Sequence, residues 1–155
     1  MTIGRLIEGR DAVLTCDVSA TVREAAGILA DRRIGALPIM ENGAIAGIFS
    51  ERDVIYRLRE FGHEMLDMTV GDVMTKPAVT VDPGTPVLSA LALMTRRRIR
   101  HLPVVENDRM IGFVSIGDLV KYRIDAMEAE AETEGDQLRD VANVVGDQVA
   151  QASGD

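Results

Sequence analysis

The sequence predicts an α+β fold in which one small unit is used twice, and three observations carry that prediction. Gly47-Ile48-Phe49-Ser50-Glu51-Arg52-Asp53 recurs as Gly112-Phe113-Val114-Ser115-Ile116-Gly117-Asp118, at an offset of 65 residues. The match extends without a gap, because Thr15 to Ile55 overlays Thr80 to Val120 with 14 of 41 pairs identical. Each copy also changes its hydrophobic period in the same order, reading strand, helix, strand, strand, helix. A half of roughly 60 residues is marginal alone, so the copies are expected to pack as one pseudo-two-fold module. The expected organisation is residues 1–65 for the first copy, 66–125 for the second and 126–155 for a helical tail.

The elements follow in chain order. Residues 2–9 read as a short leading helix; Thr2-Ile3-Gly4 returns as Thr69-Val70-Gly71, at an offset of 67. A brief strand is expected around Ala12–Thr15. A helix is expected from about Thr21 to Arg33, since Val22, Ala25, Ala26 and Leu29 form one apolar face and Thr21 with Glu24 makes a capping box. In the second copy Thr85 takes the N-cap role, with Pro86 at the first helical position. Leu37–Met40 and Ala44–Phe49 flank Asn42-Gly43, a hairpin signal, and Asn107-Asp108 is a weaker version of the same turn. Pro38 and Pro103 should start or edge a strand, having no N–H for the ladder. Gly47 and Gly112 mark close packing or a bulge. A last helix starts at each repeated serine, with Val54, Ile55 and Leu58 in one copy and Leu119, Val120 and Ile124 in the other.

The tail differs in composition. Residues 125–155 hold nine acidic residues and one Arg, which accounts for the whole net charge of −8. Residues 1–124 hold sixteen of each sign, so no basic field is available for nucleic acid. Ala126 to Glu134 is helix-prone and extends the last helix; Gly135 is a candidate interruption. Leu138, Val141, Val145 and Val149 then resume a helical stripe, either a partner contact or a loosely docked arm, and the end from Gln151 reads as frayed. No apolar run reaches the roughly 18 residues of a membrane span, and the N-terminus lacks signal-peptide form. A single cysteine, Cys16, excludes an internal disulfide and fits a cytoplasmic protein.

A repeat with Leu37-Pro38-Ile39 and Leu102-Pro103-Val104, each followed by Gly-x-x-Ser-x-x-Asp entering a helix, resembles the cystathionine-β-synthase (CBS) domain family. Two tandem copies resemble its usual pair, the Bateman module, over about Thr2 to Arg123. The resemblance implies a regulatory, energy-sensing protein that binds an adenosyl ligand in clefts between the copies. AMP is the first choice; ADP, ATP, NADH and S-adenosylmethionine are the others. It also implies a homodimer, signalling to a protein effector or to its own assembly.

The repeated turn has two readings in its own chemistry. A helix N-terminus with a serine and an aspartate suits a phosphate and a ribose; the same Ser-x-x-Asp is also a capping signature. The family resemblance places ribose contacts on Asp53 and Asp118, and sugar-phosphate contacts on Ser50 and Ser115. It adds Arg52, Arg100 and His101 as phosphate ligands, and Leu14 and Val79 near the adenine. Gly35-Ala36 stands where the second copy has Arg100-His101, so the two clefts should differ. Arg96-Arg97-Arg98 reads as a solvated helix end favoured by the dipole. Two histidines and one cysteine without ligand spacing argue against a metal site. No nucleophile elbow, Walker loop or Rossmann fingerprint occurs, so an enzyme is not expected. The alternative is an interaction module with non-functional clefts and the acidic tail as its contact element.

Overall fold

The structure, a computed structural model, describes residues 1–152, with side chains described for residues 1–145. It forms two compact units, Met1–Ile116 and Gly117–Asp155. The first unit contains α1 (Ile3–Ile7), β1 (Cys16–Asp17), α2 (Val22–Arg32), β2 (Ala36–Glu41), β3 (Ala44–Ser50) and α3 (Glu51–Phe61). A 3-10 turn (Gly62–Asp67) leads into α4 (Val70–Val73), α5 (Val87–Arg97), β4 (His101–Glu106) and β5 (Arg109–Ser115). The second unit is almost entirely α6 (Ile116–Ala152). The tandem α+β pair expected from the repeat is the fold observed.

The two leading segments are exchanged between the copies. α1 donates Ile3 N–H to Thr85 O (2.8 Å) and Gly4 N–H to Pro83 O (2.9 Å), both in the second copy. α4 does the reciprocal, with Val70 N–H on Ala20 O (2.7 Å) and Gly71 N–H on Val18 O (3.0 Å). Val70, Val73 and Met74 thereby enter the core of the first copy, beside Leu29, Leu37, Ile39 and Phe49. Neither half-core is complete without residues from the other half of the sequence, which is how two sub-marginal units reach a buildable core.

Local chemistry explains the boundaries. α2 opens on the expected capping box: Thr21 Oγ1 accepts from Glu24 N–H, and Glu24 reaches back to the Thr21 N–H. α5 departs from expectation. Pro86 is the N-cap and Thr85 makes no cap, its hydroxyl turning to Asp82 instead. The first free donor of α5, Val87 N–H, is taken by Met1 O (3.2 Å), so the exchanged N-terminus supplies the cap. Both hairpins are tight turns with positive φ at each central residue, 52° and 82° at Asn42-Gly43 and 50° and 62° at Asn107-Asp108.

Three further expectations are corrected. The first strand lies at Cys16–Asp17, not Ala12–Thr15, because parallel partners on β2 begin only at Ile39; in the second copy it shrinks to a single bridge, Val81 to Val104. Pro38 sits inside β2, the central strand of the sheet β1-β2-β3. That is tolerated because the facing Ile48 gives both its backbone groups to Thr75 (3.0 and 2.9 Å), leaving a pair that needs no donor from position 38. Finally, α6 runs unbroken through Gly135; a lone helical glycine costs only about 1 kcal/mol. Val149 and the chain end from Gln151 lie outside the side chains described.

Gly47 and Gly112 serve both purposes expected of them. Each ladder slips by one residue opposite its glycine, between Ile39 and Met40 and between Val104 and Val105. A Cβ at Gly47 would stand 2.6 Å from Met74 Sδ and 2.7 Å from Thr75 O; at Gly112 it would meet Ile7 Cδ1 at 2.7 Å. The glycines are where the exchanged segments cross the hairpins.

Candidate functional site

A cleft of about 260 Å³ opens in the first unit. One wall is the β3–α3 turn of the first copy, from Ser50 to Asp53 with Tyr56. The opposite wall is Arg98 to His101 of the second copy, and the floor is the connecting segment through Thr75 and Pro77 to Val79. Ser50, Arg52, Asp53, Val79, Arg100 and His101 therefore share one cavity, although they come from three separate stretches of sequence.

Asp53 organises its wall. It is buried at 8% exposure, the only buried charged residue among those described. Its Oδ2 accepts from Ser50 N–H (2.9 Å) and the Ser50 hydroxyl (3.2 Å), and its own N–H donates back to Ser50 Oγ (3.3 Å). Its Oδ1 accepts from Thr75 Oγ1 (2.8 Å). The capping reading of Ser-x-x-Asp is thus realised at Ser50–Asp53. It does not preclude a ligand: a carboxylate has about four acceptor positions, and both residues still face the cavity.

Charge is divided across the cleft. Glu51 and Asp53 stand at the start of α3, while Arg98 and Arg100 face them from the second copy, with Arg52 at the rim of the same turn. The first-turn donors of α3 are partly used, Glu51 N–H by Gly35 O (3.0 Å) and Asp53 N–H by Ser50. An anion here would rely on the guanidinium groups more than on the helix end. His101 stacks on Phe113 with ring centroids 5.5 Å apart and planes within 13°, which fixes the imidazole at the cavity edge. Gly35 keeps that edge open: a Cβ there would stand 3.0 Å from Glu51 Oε1 and 3.6 Å from His101 Cε1.

The other candidates lie elsewhere. Leu14 is exposed and is not part of this cleft. Ser115 ends β5, paired in register with His101. Asp118 belongs to the second unit, in the first turn of α6. Cys16 is half-buried, and burial pushes its thiol above the usual range, the opposite of a reactive thiolate. Among the described residues no cluster of His, Cys, Asp or Glu could hold a metal ion, and no helix is long and apolar enough to cross a membrane.

Sequence reasoning missed Thr75, Glu51, Tyr56 and Arg98. Thr75 follows the exchanged segment, where the repeat offset changes, so it has no counterpart to flag it. Arg98 reads as a solvated helix end, yet it takes a left-handed conformation (φ 55°) and lines the cleft. A non-glycine residue held there costs on the order of 1 kcal/mol or more, and the repeated Arg33, at φ 52°, shares it.

The CBS domain profile matches residues 7–60 and 70–125. The chain belongs to the CBS domain family. It is 42% identical over 113 residues to the CBS domain-containing protein CBSX3, mitochondrial, of Arabidopsis thaliana, covering 70% of this chain and 55% of that one. It thus spans about half the length of that relative. A CBS-domain containing protein of known structure from Agrobacterium tumefaciens superposes with a TM-score of 0.73 at 37% identity, over 79% of this chain and 92% of that one. The solved structure of CBSX2 in complex with AMP shares the fold, with a TM-score of 0.70 at 23% identity over 81% and 98% of the two chains.

Proposed function

We propose that this CBS pair is a regulatory, non-catalytic sensor that binds an adenosyl ligand in the cleft between its copies. The observation that carries the reading is the cleft's division of labour. A buried, pre-oriented carboxylate on one wall keeps about one acceptor position for a ribose hydroxyl, and arginines on the other suit a phosphate. Asp53 takes the ribose; Ser50 lies at the sugar; Arg52, Arg100 and His101, joined by Arg98, take the phosphate; Val79 flanks the base. By their place in the repeat, Ser115 corresponds to Ser50, Asp118 to Asp53 and Leu14 to Val79.

A volume of about 260 Å³ falls just below the roughly 300–1,000 Å³ usual for small-molecule sites. That favours a mononucleoside ligand over NADH, with AMP first among them. Support by likeness comes from CBSX2, whose crystal structure is a complex with AMP. The crystal structure of the CBS pair of the protein MJ0100, at 23% identity, is a complex with 5-methylthioadenosine and S-adenosylmethionine. Binding signals only through differential affinity for two arrangements of the protein, read by an effector or by a homodimer. The single cysteine supports a cytoplasmic site of action.

Thermal unfolding with AMP, ADP, ATP, NADH or S-adenosylmethionine at millimolar concentration tests the reading. A ligand at a hundred times its dissociation constant adds about 2.7 kcal/mol. No shift with any of the five would leave the interaction-module alternative in its place.

A further inference from the structure

α6 carries a second pattern that the cleft does not use. From Val120 the apolar positions advance by four and three in strict alternation, through Ile124, Met127 and Ala131. After Glu134 the same alternation continues through Leu138, Val141 and Val145. Every one of these side chains is exposed, Leu138 at 71% and Val141 at 61%. An ordinary surface helix drifts off such a stripe within a few turns. A repeat held to seven residues over about 40 Å of helix is instead the seam of a left-handed coiled coil.

We propose that this seam pairs with the same seam of a second copy of this chain, parallel and in register. The flanking charges select that occupant. With Ile124 and Leu138 at a positions, and Met127 and Val141 at d, Arg123 falls at g and Glu128 at the next e. In a parallel pair g meets the e position five residues on in the partner helix, so two Arg123–Glu128 ion pairs form across the seam. The outward positions are occupied by Asp125, Glu132, Asp136 and Asp140, which keep the back of each helix solvated. Glu134, at a d position, is the one charged side chain in the seam. It faces its own copy and weakens the pair while penalising shifted registers, as a lone polar seam residue does.

The test uses the full chain and does not depend on the ligand reading. In a Cys16→Ser background, Val141→Cys should form a disulfide-linked dimer under mild oxidation, whereas Ala129→Cys, on the outer face, should not. Sedimentation of Leu138→Asp/Val141→Asp should show self-association weakened by about a hundredfold or more, and Glu134→Leu should strengthen it. Failure of Val141→Cys to cross-link, or unchanged association in the double Asp variant, overturns the proposal. An antiparallel pair would place position 141 away from itself and so fails the first criterion.

Discussion

Asp53 is the side chain that ties the wall of the cleft together, and the effect of its removal can be worked out from the geometry. Asp53→Ala deletes acceptors for Ser50 N–H, the Ser50 hydroxyl and the Thr75 hydroxyl. It leaves part-buried donors behind and halves the capping box of α3. A lost cap costs about 1 kcal/mol, and hydrogen bonds to a charged acceptor about 1.5 kcal/mol or more each. Because the bonds share one residue they are not additive, and the expected cost is about 3 kcal/mol. For a chain of this size that lowers Tm by roughly 6–12 °C. Thr75→Val removes one of these bonds and should cost about 1.5 kcal/mol. In urea titrations the double variant should fall short of the sum by about 1 kcal/mol, since each change already breaks the shared bond. If Asp53→Ala costs less than about 0.5 kcal/mol, as an ordinary surface change does, the carboxylate does not organise the wall.

The remaining predictions concern the crossings, a turn, the anion wall and acid stability. Gly47→Ala should destabilise by more than about 2 kcal/mol, because its Cβ meets the Thr75 backbone. Gly112→Ala meets the Ile7 side chain, with no backbone atom among its nearest neighbours, and should cost clearly less; equal losses in urea would contradict the crossing geometry. Asp108→Gly should stabilise by about 0.5 kcal/mol, relieving a positive φ in the second hairpin; a lower urea midpoint would count against that turn assignment. Arg100→Ala should weaken AMP more than adenosine, with a reduced salt dependence measured by calorimetry. Hydrogen bonds from Ser19 hold the Asp17 carboxyl below its ordinary value of 3.8. The ionised form is thus favoured in the folded state, so its contribution is present above about pH 4 and lost as pH falls further. Ser19→Ala should lower stability near neutrality and flatten the acid limb; an unchanged limb would show that the turn does not form in solution.

The fold was legible because duplication doubles every signal. A lone Asn-Gly or Ser-x-x-Asp is weak, but the same features 65 residues apart set the order of strands and helices. What escaped depends on long-range placement. The cap of α5 comes from Met1, far away in sequence. The tolerance of Pro38 depends on Thr75 drawing Ile48 away from the ladder. The exchange of leading segments was visible only as an unexplained change of offset from 65 to 67. Candidate site residues at the repeated turn and at Arg100-His101 could be named because they match positions of the family motif that the sequence resembles. Thr75, Glu51 and Arg98 match no such position, and only the folded chain brings them to the same cavity.

The central claim, that an adenosyl ligand occupies the cleft between the copies, is tested most directly by calorimetric titration of AMP into the wild-type chain and into Asp53→Asn. That substitution keeps the shape and capping capacity of position 53 while removing its charge. The account predicts saturable binding to the wild type and a loss of at least about tenfold in the variant. Equal affinity in the two proteins would contradict it, placing the ligand somewhere other than against Asp53.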